Sequence, residues 1–289
     1  MTAKERIDTL LVAQGFFETR EKAKAAVMAG LVYCNGTRLE KAGMKIPADS
    51  VLTVKGDPLP YVSRGGLKLE KAIRRFGLDL SGAVMIDIGA STGGFTDCAL
   101  KHGASFVYAI DVGTNQLDWS LRKDERVRVM ERFNFRYIQP SDLKGPQPNF
   151  AATDVSFISL RLIFPPLWPL LVPESPVVAL IKPQFEAGRE AVGKNGIVRD
   201  AAVHREVLHR VLGFAAESGF RFEGMTHSPI TGGEGNIEFL ALWRRAETMG
   251  PVPLPEDLDA LVRRTVEAAH EDLLQRREKQ EPEPPNANT

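Results

Sequence analysis

Three short stretches carry residue types whose spacing suits chemistry. The first is MIDIGASTGGFT, residues 85–96, where an apolar run bearing Asp87 enters a loop with Gly89, Gly93 and Gly94. Glycines there permit a tight turn and let backbone approach a ligand closely. The second is Asp111, which closes the next apolar run 22 residues after Gly89. A carboxylate at that strand end can hold both hydroxyls of a ribose, so loop and acid together point to a nucleoside cofactor. The loop does not match G-x-G-x-x-G and has no G-K-[ST], which disfavours cradling the phosphates of ATP. The third is VVALIKPQFEAG, residues 177–188. Its run from Val177 to Ile181 reads as a strand buried on both faces, yet it ends on Lys182, a residue type seldom buried without a partner. Asp154 closes another short apolar run in the same way.

The elements that must position these residues follow from pattern. Residues 84–88, 106–110, 127–130, 150–153 and 177–181 read as strands with helical patterns between several of them, and 201–218 is the clearest helix. That alternation predicts an α/β domain with a parallel sheet covered on both faces. Two later extended segments, 220–227 and 236–244, are too close for a helix between them and predict an antiparallel pair at one edge. The sheet is thus seven-stranded and mostly parallel. Ligands of such sheets lie beyond the carboxyl ends of the strands, where Asp154 and Lys182 fall. Apolar spacing at Leu258, Leu261, Val262, Val266, Leu273 and Leu274 predicts an amphipathic helix over 255–276.

The front of the chain differs. Ile7, Leu10 and Leu11 have helical spacing, and Thr19 suits the N-cap of a second helix over 20–28. Asn35-Gly36 between two extended runs is a hairpin signal, and 51–54 reads as one more strand. We expect a helix pair with a small sheet over 1–57, with Arg6, Arg20, Lys22 and Lys24 on the helices. DPLPYVSRGG then reads as a linker at 58–65 that carries Arg64. A large domain over 66–248, the C-terminal helical segment 249–276 and a disordered tail 277–289 complete the expected organisation.

Composition narrows the function. The 289 residues have zero net charge, but 1–76 carry +6 and 77–289 carry −6. A basic front on an acidic body directs any polyanion to the front. No apolar run approaches the ~18 residues of a membrane span, and the N-terminus lacks a signal-peptide core. Two separated cysteines, Cys34 and Cys98, fit a reducing cytoplasm. The five histidines show no metal spacing, and no metal is expected.

The motifs SRGGLKL, DIGASTGGFT, DVGTNQL, DVSFISL, LIKPQFE and GNIEF occur in that order. Together they resemble the TlyA family, often labelled hemolysin A: an S4-like RNA-binding domain followed by a Rossmann-like, FtsJ-like S-adenosylmethionine-dependent methyltransferase domain. The resemblance implies 2′-O-methylation of cytidine riboses in ribosomal RNA, on small or large ribosomal subunits. It implies a catalytic Lys-Asp-Lys-Glu tetrad at Lys68, Asp154, Lys182 and Glu238. It implies cofactor contacts from Asp87, Gly89, Ala90, Ser91, Thr92, Gly93, Gly94, Phe95, Asp111, Asn134 and Asp154, and RNA contacts from Arg6, Arg20, Lys22, Lys24 and Arg64. Lys71 is the nearest rival for the first lysine. Asn134 stands where related enzymes often hold the adenine with an aspartate. A monomer or weak dimer is expected.

The chemistry agrees with those residue types. A ribose hydroxyl is a poor nucleophile, so its oxygen must be placed in line with an activated methyl group and relieved of its proton. A lysine ammonium stabilises the developing alkoxide, and a flanking carboxylate holds that ammonium oriented. Whether Lys182 acts as base or as electrostatic guide stays open. Base methylation is disfavoured: Asp154-Val155-Ser156-Phe157 is not the N/D-P-P-Y/F/W stretch of adenine N6 enzymes, and neither cysteine follows a proline. A membrane-active hemolysin and an RNA-binding protein with an inactive methyltransferase fold are the alternatives. The long charged segment 183–200 is a candidate loop for closing over RNA.

Overall fold

The computed structural model describes residues 4–17, 19–28, 30–55, 59–232 and 235–278, side chains of 274–278 excepted. The chain divides into two compact units, Met1–Gly66 and Leu67–Thr289.

The first unit opens with β1 (Lys4–Arg6), which pairs antiparallel with β4 (Lys45–Pro47). Helices α1 (Ile7–Ala13) and α2 (Arg20–Met28) follow. The Thr19 hydroxyl accepts from Lys22 N at 3.2 Å, which caps α2. A second sheet has the order β3-β2-β5, with β2 (Val32–Cys34), β3 (Thr37–Arg38) and β5 (Leu52–Val54). Asn35 (φ 50°) and Gly36 (φ 78°) make the two-residue turn between β2 and β3, where both central residues need positive φ. Ile7, Leu11, Ala23, Ala26, Val27, Val32 and Leu52 form the core. Arg6 is a correction to the expected placement on a helix: it is the last residue of β1 and precedes α1.

The second unit is built on a seven-stranded sheet with the order β11-β12-β10-β9-β6-β7-β8. Strands β6 (Val84–Ile88), β7 (Phe106–Ile110), β8 (Val127–Met130), β9 (Phe150–Thr153) and β10 (Pro176–Ile181) run parallel. β11 (Phe220–His227) and β12 (Phe239–Arg245) are antiparallel, and β12 lies on β10 with Phe239 opposite Ile181. Helix α3 (Gly65–Phe76) enters from the first unit, and α4 (Gly94–Lys101) follows the glycine loop. Three single turns come next: α5 (Trp119–Arg122), α6 (Phe164–Leu167) and α7 (Pro183–Glu186). Last are α8 (Ala201–Glu217), which Asp200 caps through Ala202 N, and α9 (Leu258–Glu278).

Alternation along β10 explains its all-apolar sequence. Val177, Ala179 and Ile181 join one core with α8, β11 and β12, while Val178 and Leu180 point to the opposite face and are equally buried. Each large side chain so buried contributes about 1.5–3 kcal/mol. Leu258, Val262, Val266 and Ala269 of α9 join the Val177 core, so this helix is a layer of the second unit. It begins three residues later than its apolar spacing predicts, after the prolines at 251, 253 and 255, and reaches Glu278. Residues 277 and 278, expected in the tail, are therefore helical; the rest of that tail lies outside the described residues.

Candidate active site

Parallel strands end at one edge of the sheet, and the candidate residues gather there. Asp154 directly follows β9 and Lys182 directly follows β10, its parallel neighbour. Glu238 comes from the opposite direction. Because β12 is antiparallel to β10, the residue before Phe239 emerges beside the residue after Ile181. Lys68 is delivered by the second turn of α3.

The four side chains touch. Lys68 Nζ lies 2.8 Å from Glu238 Oε2 and 3.2 Å from Asp154 Oδ2, and Lys182 Nζ lies 2.5 Å from Asp154 Oδ1. Lys182 also donates to Ser156 Oγ at 2.9 Å. Lys68, Lys182 and Glu238 are at least 90% buried. Two lysines and two carboxylates alternate in a chain, so each buried charge has an opposite neighbour, as burial of charge requires. Burial pushes Lys68 down, but the carboxylates of Asp154 and Glu238 outweigh it and hold its pKa above the ordinary lysine value. Burial pushes Asp154 up, and Lys68 with Lys182 more than reverses that. Burial drives Glu238 above the usual carboxylate range; Lys68 opposes that rise and Asp154 adds to it. Lys71, on the same helix, is only half-buried.

Beside this chain of charges lies a cleft of about 300 Å³. Gly89, Ser91, Asp111, Asn134, Asp154 and Ser156 line it, with Ile110, Phe133, Phe135 and Ile163 as apolar walls. Asp111 is held rigid: Oδ2 accepts from Ser91 N and Oδ1 from Gly113 N, each at 2.7 Å. A carboxylate oxygen has further acceptor capacity, so Asp111 can still receive hydroxyl protons. Asn134 Oδ1 accepts from Arg136 N and Nε, which leaves the amide NH₂ for a base edge. Gly89 sits at φ 83°, and a Cβ there would stand 2.8 Å from the Asp154 carbonyl oxygen. Only glycine fits that crossing, which keeps the loop close against the strand end. Apolar walls, a fixed carboxylate and an uncrowded loop suit a nucleoside.

Other residues of the loop lie elsewhere. Ala90, Thr92, Gly93, Gly94 and Phe95 are not on the wall of this cleft. Asp87 is wholly buried, in register with Ala109 and Ala152, and accepts from Thr96 Oγ1 at 2.6 Å. Burial lifts its pKa to about 7, against the pull of the Thr96 hydrogen bond and with a push from the charge of Asp154. Arg20, Lys22 and Lys24 are exposed on α2, and Arg64 is exposed just before α3. Arg6 binds Asp8 through Nε at 2.9 Å and Nη2 at 2.8 Å, and Arg20 Nη2 reaches the same carboxylate at 3.0 Å.

Residue-type reasoning passed over Ser156 and Glu186. The Glu186 carboxylate, buried in α7, accepts from Ser159 Oγ at 2.7 Å and Leu160 N at 2.8 Å, and so ties the turn after β10 to the loop after β9. The hydroxyl two positions beyond Asp154 was a signal for Ser156; nothing local marks Glu186. The segment 183–200 is pinned at both ends, by Glu186 and by Asn236, whose side chain accepts from Val198 N and donates to Gly196 O, each at 3.0 Å. Among the described residues no group of His, Cys, Asp and Glu could hold a metal, and no helix is long and apolar enough to cross a membrane.

The profile of the FtsJ-like methyltransferases matches residues 61–245. The chain belongs to that family. An S4 domain profile matches 5–52, so an S4 domain precedes the FtsJ-like domain. YqxC of Bacillus subtilis (strain 168), provisionally named an rRNA methyltransferase, is 59% identical over 275 residues, which is 95% of this chain and 97% of YqxC. The TlyA of Mycobacterium tuberculosis (strain ATCC 25618 / H37Rv), named a 16S/23S rRNA (cytidine-2′-O)-methyltransferase, is 38% identical over 86% of this chain and 92% of its own. A solved structure from Streptococcus thermophilus, provisionally titled a hemolysin, shares 52% identity and a TM-score of 0.75 over 96% of this chain and 100% of that one. The TlyA group therefore includes this chain, and the four touching charges of its FtsJ-like domain occupy the motif positions SRGGLKL, DVSF, LIKP and NIEF.

Proposed function

We propose that this protein transfers a methyl group from S-adenosylmethionine to the 2′-hydroxyl of a cytidine ribose in ribosomal RNA. The observation that carries the reading is the buried chain Glu238–Lys68–Asp154–Lys182, set at the strand ends beside a nucleoside-sized cleft. The cleft residues fit the cofactor: Asp111 for the ribose hydroxyls, the apolar walls and Asn134 for the adenine, and the Gly89 loop alongside the rest. When bound, the cofactor supplies a methyl group already activated on a sulfonium. The protein has then to place the 2′-oxygen and stabilise its developing charge. Lys182, at the end of the charge chain beside Ser156, donates to that oxygen and stabilises the charge that develops there, while the hydroxyl proton is released to water. Asp154 holds Lys182 in place, while Lys68 and Glu238 hold Asp154. The S4 domain supplies affinity for ribosomal RNA through phosphate contacts of Arg20, Lys22 and Lys24, with Arg6 of the same domain, and Arg64 of the linker adds to them.

The test is Lys182→Ala. It should keep cofactor affinity by calorimetry and lose methyl transfer to ribosomal subunits. Cofactor-competent wild-type protein that transfers nothing to either subunit would sink the enzyme reading and favour a binding protein with an inactive methyltransferase fold.

A further inference from the structure

Lys182 and Lys68 share Asp154, yet their surroundings differ. Lys68 lies between two carboxylates. Lys182 has one carboxylate and one hydroxyl, that of Ser156, and Ser156 itself lines the cleft. An ammonium has three N–H donors. Ser156 Oγ accepts one at 2.9 Å, and Asp154 Oδ1 holds the ammonium by charge, with the Phe185 ring 6.0 Å away. Donor capacity is left for a further acceptor, and the Ser156 hydrogen bond sets where it points.

The loop that carries Ser156 is itself held. Asp154 N donates to Ile88 O at one end, and Glu186 binds Ser159 Oγ and Leu160 N at the other. Between these anchors Phe157, the neighbour of Ser156, has φ 64°, a conformation a bulky residue keeps only where its surroundings impose it. Ser156 is nevertheless exposed, so its hydroxyl contributes no core packing.

We propose that Ser156 is a positioning residue: its hydroxyl fixes the Lys182 ammonium so that another of its N–H groups faces the ribose 2′-oxygen. The proposal rests on the methyltransferase reading above and deepens it. Ser156 acts through Lys182, so its loss lowers turnover rather than cofactor or RNA affinity.

The experiment measures transfer of labelled methyl from S-adenosylmethionine to ribosomal subunits purified from cells lacking this protein. It compares wild type, Ser156→Ala, Ser156→Thr and Lys182→Ala, with calorimetric cofactor Kd and filter-binding RNA Kd for each. A hydrogen bond to a charged group predicts a fall of about tenfold to a hundredfold in kcat for Ser156→Ala. Both affinities should stay within twofold of wild type, and Ser156→Thr, which keeps the hydroxyl, should recover most of the rate. Three results would each overturn the proposal while Lys182→Ala stays inactive: wild-type kcat in Ser156→Ala, a cofactor Kd that rises in step with the rate loss, or no recovery by threonine. A fully active Lys182→Ala would instead overturn the reading on which it rests.

Discussion

Asp87 is a carboxyl group in the middle of a parallel sheet, and its stability cost can be worked out and measured. Its folded pKa of about 7 lies some three units above the ordinary 3.8. Each unit corresponds to about 1.4 kcal/mol, so ionising Asp87 in the fold costs about 4 kcal/mol. The sign is fixed by which state holds the proton more tightly. Because the folded pKa is raised, the neutral form is tolerated below pH 3.8. The cost then grows as pH rises from 3.8 towards 7 and is complete above it. Asp87→Asn has no such titration and keeps an amide beside Thr96 Oγ1. The unfolding free energy of Asp87→Asn minus that of wild type should therefore increase by about 4 kcal/mol between pH 4 and pH 8, read by urea denaturation at half-unit steps. Thr96→Val, which removes the 2.6 Å hydrogen bond that holds the Asp87 pKa down, should extend the wild-type decline to higher pH. A difference between Asp87→Asn and wild type that is flat across this range would refute the reasoning, since a carboxyl with an ordinary pKa produces no slope there.

Other expectations concern the charge chain and the RNA-binding surface. Lys68→Met strips both Asp154 and Glu238 of a counter-charge and should cost about 3–5 kcal/mol in denaturation; adding Glu238→Gln should return part of that loss without restoring methyl transfer. Gly89→Ala should weaken cofactor binding measurably by calorimetry and lower stability by about 1–3 kcal/mol, because φ 83° and the Asp154 carbonyl both oppose a Cβ. Lys24→Ala should lower RNA affinity and reduce the salt slope of binding by about 1 while sparing cofactor affinity. Arg6→Ala is a less clean probe: Asp8, buried and held well below the usual carboxylate range first by Arg6, would lose a partner, so stability should fall along with RNA affinity.

Much of the second unit was legible because local pattern and global role coincide there. An apolar run as short as Val177–Ile181, closed by a proline two residues on, favours a strand covered on both faces over a buried helix, and a polar residue closing such a parallel strand emerges at the ligand edge. Asn35-Gly36 dictated its own turn. The pairing of β1 with β4 was not legible, since Lys4-Glu5-Arg6 has no alternation and gains its strand geometry from a partner about forty residues away. Arg6 was misplaced for the same reason. Glu238 could be reached only by resemblance: the antiparallel pair at the edge was legible, but nothing in Asn236-Ile237-Glu238 announces that the second of those strands docks on β10. Ser156 and Glu186 matter through contacts that form only when two loops from adjacent strands meet, and no periodicity encodes that.

The reversal of β12 has a consequence for the order in which the protein becomes itself. Synthesis delivers Lys68 early, Asp154 and Lys182 in mid-chain, and Glu238 with one of the last strands. Until that strand docks on β10, Lys68 has a single carboxylate to accompany it out of water, and a half-compensated buried cation resists burial. The four charges therefore settle together, as a late event that depends on a long-range pairing of the domain. Under the proposed function, a chain that still lacks that strand has no complete site for methyl transfer.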